Sequence, residues 1–176
     1  MCRMRVYIRS PRPEDEGAYS AAVIRSADHL TPWNPVEPDG FAALLRRQGP
    51  VLRSYLIFDR ADDGLVGRVN IANIVRARFR NAALGYDSYV PYAGTGRMTE
   101  GLRLIIDRCF DDGPDGIGLH RLEINVQPEN QRSIALAKRL GFRYEGFSPR
   151  MLFLNNAWRD HERFALTVEE WPGTGD

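Results

Sequence analysis

The sequence predicts a single α/β (α+β) domain over residues 1–171, with a mixed central sheet of about six to seven strands, about four flanking helices and a flexible tail at 172–176. Three observations carry that prediction. Two strand–turn–helix units, Ala82 to Cys109 and His120 to Leu140, follow one another, and short connections with right-handed crossovers make their strands parallel. A strand-rich meander precedes them, and two long strands turning at Asn155-Asn156 follow. At 176 residues the chain supports one full core and is too short for two comfortable ones.

The first strand falls at Val6 to Arg9, and prolines with early carboxylates from Ser10 to Glu16 open a helix running from about Glu14 to Ser26. Pro32 and Pro35 bar regular helix from Leu30 to Val36 and place Trp33 in a loop, where it either lines a site or covers the core. A second helix, Asp39 to Arg47, presents Phe41, Leu44 and Leu45 and stops before Gly49-Pro50. Strands Ser54 to Asp59 and Leu65 to Ile74 are joined by Asp62-Asp63-Gly64, whose Asp-Gly pair signals a hairpin. Arg76 to Arg80 is a charged loop. Leu122, Ile124 and Val126 alternate with polar residues as in a strand. Asn130 caps the next helix, Ser133 stands at its third position and Gly141 ends it. The last strands are Phe142 to Phe153 and Trp158 to Val168.

The stretch Val90 to Gly101 organises the rest. It joins the strand Ala82 to Val90 to a helix whose Met98, Leu102, Ile105 and Cys109 recur at helical spacing. Pro91 ends the strand and lets it splay from its neighbour. Gly94 and Gly96 permit torsions that aim consecutive N–H groups at one anion, a phosphate or pyrophosphate, at the positive end of a helix. A plain strand-to-helix turn is the alternative. Thr99 stands where a dinucleotide fingerprint needs glycine, and Gly96-Arg97-Met98 lacks the Gly-Lys-Ser/Thr of a nucleoside-triphosphate loop. Two such units side by side leave a cleft at their strand ends, where open sheets bind ligands.

A formal charge of +1, from 24 basic and 23 acidic residues, argues against nucleic acid or a membrane surface held by bulk charge. Apolar runs are short and no signal core follows Met1 to Arg9, so a cytoplasmic location is expected. Cys2 lies in a frayed terminus and Cys109 on the buried stripe. His29, His120 and His161 lie far apart, so no metal site is expected.

Gly94-x-Gly96 with Met98-Thr99-Glu100, then Asn125-Val126-x-Pro128-Glu129-Asn130-x-x-Ser133, Leu140-Gly141-Phe142, Glu145-Gly146 and Trp158-Arg159-Asp160-His161 resemble the GNAT acetyltransferase superfamily. Within it the chain is most similar to the Rim-type ribosomal-protein N-terminal acetyltransferases, especially the RimJ branch. The resemblance spans almost the whole chain. It implies a splayed parallel pair forming a CoA cleft, acetyl-CoA as donor and a primary amine as acceptor, most directly the α-amino group of a protein or peptide N-terminus. Main-chain amides from Tyr92, Ala93, Gly94, Thr95, Gly96, Arg97 and Met98 would hold the CoA pyrophosphate. Tyr89 and Val90 would pair with the pantetheine arm, with Asn130 opposite, and homodimers are common among such proteins.

Three positions depart from the family pattern. Pro91 stands where Gln or Arg is frequent, and Ala137 where many members carry a thiolate-protonating tyrosine. Rim-like relatives use a serine instead, which matches Ser133. A glutamate base of one relative falls at Leu152. Direct acetyl transfer needs a neutral amine, a polarised thioester and a stabilised thiolate. Ser133 is the candidate for the last task, unless its hydroxyl is paired to its own helix turn. Asp87, Glu123 and His161 are candidate bases, beside a base acting through water. Trp33, Tyr86 and His161 are candidate acceptor contacts. A small amine (drug, polyamine or amino-acid derivative) is the alternative acceptor, and a non-catalytic acyl-CoA sensor the alternative role.

Overall fold

The computed structural model describes residues 4–174, so Cys2 and the tail's last two residues lie outside the described part. Seven strands form one sheet in the order β1-β2-β3-β4-β5-β7-β6. They are β1 (Val6–Arg9), β2 (Leu52–Asp59), β3 (Leu65–Val75), β4 (Asn81–Ser88), β5 (Arg121–Val126), β6 (Arg143–Leu154) and β7 (Ala157–Thr167). The helices are α1 (Glu16–Arg25), α2 (Ala27–Leu30), α3 (Phe41–Arg46), α4 (Arg97–Phe110) and α5 (Gln131–Arg139). All adjacent strand pairs are antiparallel except β4–β5. The predicted mixed sheet and its parallel pair are therefore present.

Each sheet face has its own core, because strand side chains alternate between faces. On one face α4 buries Met98, Leu102, Ile105 and Cys109, and α5 buries Ala137, against Ile57, Leu84, Leu122 and Ile124. On the other, α1 and α3 bury Tyr19, Val23 and Phe41 against Leu56, Phe58 and Tyr89. Burial pushes the Cys109 thiol well above its ordinary pKa, which suits a packing group and not a nucleophile.

The close approach of α4 depends on glycine. A Cβ on Gly67 in β3 would stand 2.5 Å from the Asp87 carbonyl and 2.8 Å from the Met98 sulfur. Gly67→Ala is therefore expected to destabilise the fold by about 1–3 kcal/mol, the usual range for overpacking. Urea denaturation followed by circular dichroism checks this; an unchanged midpoint would show that α4 yields freely.

Two predicted elements differ in detail. The single first helix is split: a 3-10 turn at Pro13–Asp15 leads into α1, and Ser26 separates α1 from α2. At the break, the buried Ser26 hydroxyl accepts the Val90 N–H at 3.1 Å. The β2–β3 link is longer than a two-residue turn, with positive φ at Asp63 (55°). The β6–β7 turn matches expectation: Asn155 and Asn156 both have positive φ, at 50° and 59°, as a tight hairpin turn demands. At the tail, the Thr174 hydroxyl bonds Asp107 and Arg103 donates to the Gly173 carbonyl at 3.2 Å, laying residues 173 and 174 on α4.

Strand β6 lies at the sheet's edge, with register shifts at Tyr144/Gly146 and at Ser148/Leu152 and a positive φ of 50° at Arg150.

Candidate active site

Strands β4 and β5 pair only from Asn81↔Arg121 to Ala83↔Glu123, and beyond that register they diverge. The Arg80 carbonyl accepts from the Arg121 N–H at 3.1 Å, and the Tyr89 N–H goes the other way, to Val66 of β3 at 2.8 Å. Backbone groups alternate along a strand, so Leu84, Tyr86 and Ser88 turn theirs toward the opening. The result is a strand edge without a neighbour, in the middle of a sheet.

The backbone groups of Tyr89 and Val90, the predicted pantetheine contacts, are engaged within the fold. The Tyr89 carbonyl accepts from Tyr92 and Ala93, the Val90 N–H is taken by Ser26, and the Val90 carbonyl accepts from Arg25 at 3.1 Å. Those groups are already used to shape the corner, and the open edge begins two residues earlier. The Tyr89 side chain points into the α1–α3 core, its hydroxyl buried without a partner among the described residues and its pKa pushed well up by burial.

The loop from Tyr92 to Gly96 leads directly into α4. Gly94 and Gly96 have φ of 79° and 85°, the left-handed region that glycine enters without strain. The N–H groups of Tyr92, Ala93 and Thr95 go to loop carbonyls. Those of Gly94, Gly96, Arg97 and Met98 have no acceptor among the described residues, and the first turn of α4 adds its dipole. The N–H groups without an acceptor are thus a subset of the predicted stretch. Three side chains brace it: the Tyr92 hydroxyl donates to Asp62 at 2.7 Å, Arg97 pairs with Asp59, and Arg5 bonds Glu100 and the Thr95 carbonyl. Desolvation and Asp62 raise the Tyr92 pKa to about 12, so it remains a donor. The Arg97 side chain is turned to Asp59, which leaves its main-chain N–H as the contribution to a candidate anion cradle.

Across the opening, Asn130 caps α5 and its side chain accepts the Ser133 N–H at 3.2 Å. The Ser133 hydroxyl, freed from backbone duty, lies 2.7 Å from the Tyr86 hydroxyl. Tyr86, predicted as an acceptor contact, is therefore on the α5 side of the opening, against Ser133. Burial raises its pKa to about 12.

The other candidates lie on the α1–α3 face. Asp87 is buried and ion-paired with Arg68, which also donates to the Tyr19 hydroxyl at 3.0 Å. Burial pushes the Asp87 carboxyl up and Arg68 opposes that rise. Glu123, at the last β4–β5 pair, is held by Arg121 at 3.1 Å and Arg163 at 3.5 Å. His161 is buried on β7, its Nδ1 3.0 Å from the Arg159 carbonyl. Half-buried Trp33 sits in a loop fastened twice: its carbonyl accepts from Gln127 at 2.8 Å, and Asn155 in the β6–β7 turn donates to the Thr31 carbonyl at 3.2 Å. Ser26, Arg5, Arg68 and Gln127 had no signal in the sequence, because each acts through a partner distant along the chain. No cluster of three or more potential metal ligands occurs among the described residues, and no helix there is long and apolar enough to cross a membrane.

An interrupted parallel pair, a run of main-chain amides without acceptors at one end and a hydroxyl pair beside it are brought together at one opening in the sheet. Residues 5–143 match the model of the acetyltransferase (GNAT) domain, and the chain belongs to that family of acyl-transferring enzymes. It is 31% identical to the [ribosomal protein uS5]-alanine N-acetyltransferase of Escherichia coli (strain K12), over 96% of this chain and 91% of that protein. Two solved structures are similar throughout. RimJ of Mycobacterium smegmatis, in complex with CoA-disulfide, has 32% identity and a TM-score of 0.81 over 95% of this chain and 84% of that one. The ribosomal-protein-S5-alanine acetyltransferase of Vibrio fischeri has 25% identity and a TM-score of 0.80 over 95% of both.

Proposed function

We propose that this acetyltransferase uses acetyl-CoA to acetylate the α-amino group of a protein or peptide N-terminus. The observation that carries the acceptor choice is the state of the carboxylates. Asp87 is committed to Arg68, and Glu123 to Arg121 and Arg163. An α-amino group, with a pKa near 8, loses its proton at pH 7 for about 1 kcal/mol, whereas a lysine-type amine near 10.4 requires about 4–5 kcal/mol. A site in which Asp87 and Glu123 are already paired suits the first and handicaps the second. The similar protein from Escherichia coli acts on an alanine of a ribosomal protein, in keeping with this reading.

In this mechanism the pyrophosphate of CoA lies on the Gly94, Gly96, Arg97 and Met98 amides, and the pantetheine arm pairs with the open edge at Tyr86 and Ser88, with Asn130 across from it. The neutral amine enters from the face of Trp33 and His161 and attacks the thioester carbon. The new C–N bond forms, the C–S bond breaks with its electron pair on sulfur, and the Ser133 hydroxyl stabilises that sulfur. The proton released by the amine, carried off through water, balances the one the thiolate takes up.

Release of CoA thiol, measured across peptides with different N-termini, lysine side-chain peptides and polyamines, tests the reading. Turnover on free N-termini is expected to exceed that on lysine side chains and polyamines by at least about tenfold. Turnover on small amines alone would move the acceptor to metabolites or drugs, and tight CoA binding without product would make the chain a sensor.

A further inference from the structure

We propose that Tyr86 is a positioning residue that fixes the direction of the Ser133 hydroxyl, so that its proton points at the donor's sulfur. The inference rests on the acetyl-CoA reading of the cleft and goes beyond it, to a residue two positions from the strand end on a different element.

The two hydroxyls are 2.7 Å apart, and either oxygen could donate. The Tyr86 phenol has no other hydrogen-bond partner among the described residues, and the pair bridges β4 and α5. The phenol is the stronger acid and the better donor of the two. Tyrosine therefore donates and serine accepts. A serine hydroxyl carries a single proton, so with its oxygen occupied by Tyr86 that proton is turned outward, toward the cleft. The elevated phenol pKa keeps Tyr86 protonated and in this donating role across the working pH range. Backbone capping by Asn130 completes the arrangement, since the Ser133 N–H is served by the Asn130 side chain at 3.2 Å and the hydroxyl is not drawn back to its own turn.

The test compares wild type, Tyr86→Phe, Ser133→Ala and the double variant for thiol release, with acetyl-CoA KM and CoA affinity by calorimetry in parallel. Tyr86→Phe keeps the ring and removes only the hydroxyl. It is expected to lower kcat about tenfold while KM for acetyl-CoA and CoA affinity stay within about twofold. The double variant is expected to match Ser133→Ala alone, because a positioning group has nothing to position once serine is gone. A Tyr86→Phe enzyme with wild-type kcat, or a double variant whose losses multiply, would overturn the inference and leave the acetyltransferase reading intact. A wild-type chain that releases no thiol with any amine would overturn both.

Discussion

Ser133→Ala should lower kcat for thiol release about 100-fold, with acetyl-CoA KM changed by no more than about twofold. Removing a single well-placed donor from the site of developing charge typically reduces turnover by that order. The split between kcat and KM follows from when the bond forms. The ground-state thioester sulfur is a poor acceptor, whereas the departing thiolate is a strong one, so the serine bond strengthens only as the C–S bond breaks. The helix is not at risk from the change, because α5 is capped by the Asn130 side chain acting on the Ser133 main chain. Steady-state kinetics at saturating peptide reads the effect directly. An alanine enzyme with unchanged kcat would remove Ser133 from the chemistry.

The second large effect is expected at Gly96, where valine should weaken CoA binding about 100-fold or more. At φ 85° a β-branched residue is strained by about 1–3 kcal/mol. Its Cβ would also come within 3.1 Å of the Arg5 guanidinium that braces the loop. The chain escapes the strain by rotating the Gly96 peptide, which turns N–H groups of the cradle away from the pyrophosphate. Calorimetry with CoA measures the loss, and circular dichroism confirms that the sheet is retained. Gly94→Ala is a milder comparison, since an added Cβ there meets open space and only the torsion is strained. Wild-type CoA affinity in the folded Gly96→Val protein would show that the cradle lies elsewhere.

What could be read from the sequence is what local chemistry determines. The alternation Leu122, Ile124, Val126 and the helical stripe Met98, Leu102, Ile105, Cys109 placed two strand–helix units correctly, and Gly94 and Gly96 marked the turn between strand and helix. Asn130 as a cap followed from its position before α5. The features that were not legible depend on partners far along the chain. Ser26, at the end of α1, holds Val90, 64 residues on, and nothing in the run Ile24-Arg25-Ser26-Ala27 announces that partner. Tyr86 meets Ser133 across 47 residues. Asp87 looked like a base facing a cleft because its strand leads to the loop, but adjacent residues on a strand face opposite ways. Tyr86 and Asp87 therefore serve different sides of the sheet, and Arg68, the ion partner of Asp87, lies on another strand. Tyr89 and Val90 sit beside the cleft, as their sequence position implied, yet their hydrogen bonds hold the corner itself.

The broken register of β6 bears on how copies of this protein meet one another. An unprotected terminal strand of twelve residues would be a template for strand-by-strand growth into ribbons. Two slips in its ladder and the left-handed kink at Arg150 interrupt the outward row of donors and acceptors, so an incoming flat strand could match only short stretches of it. The same interruptions that tie β6 into its own sheet thus make its outer edge a poor template for the backbone of another copy.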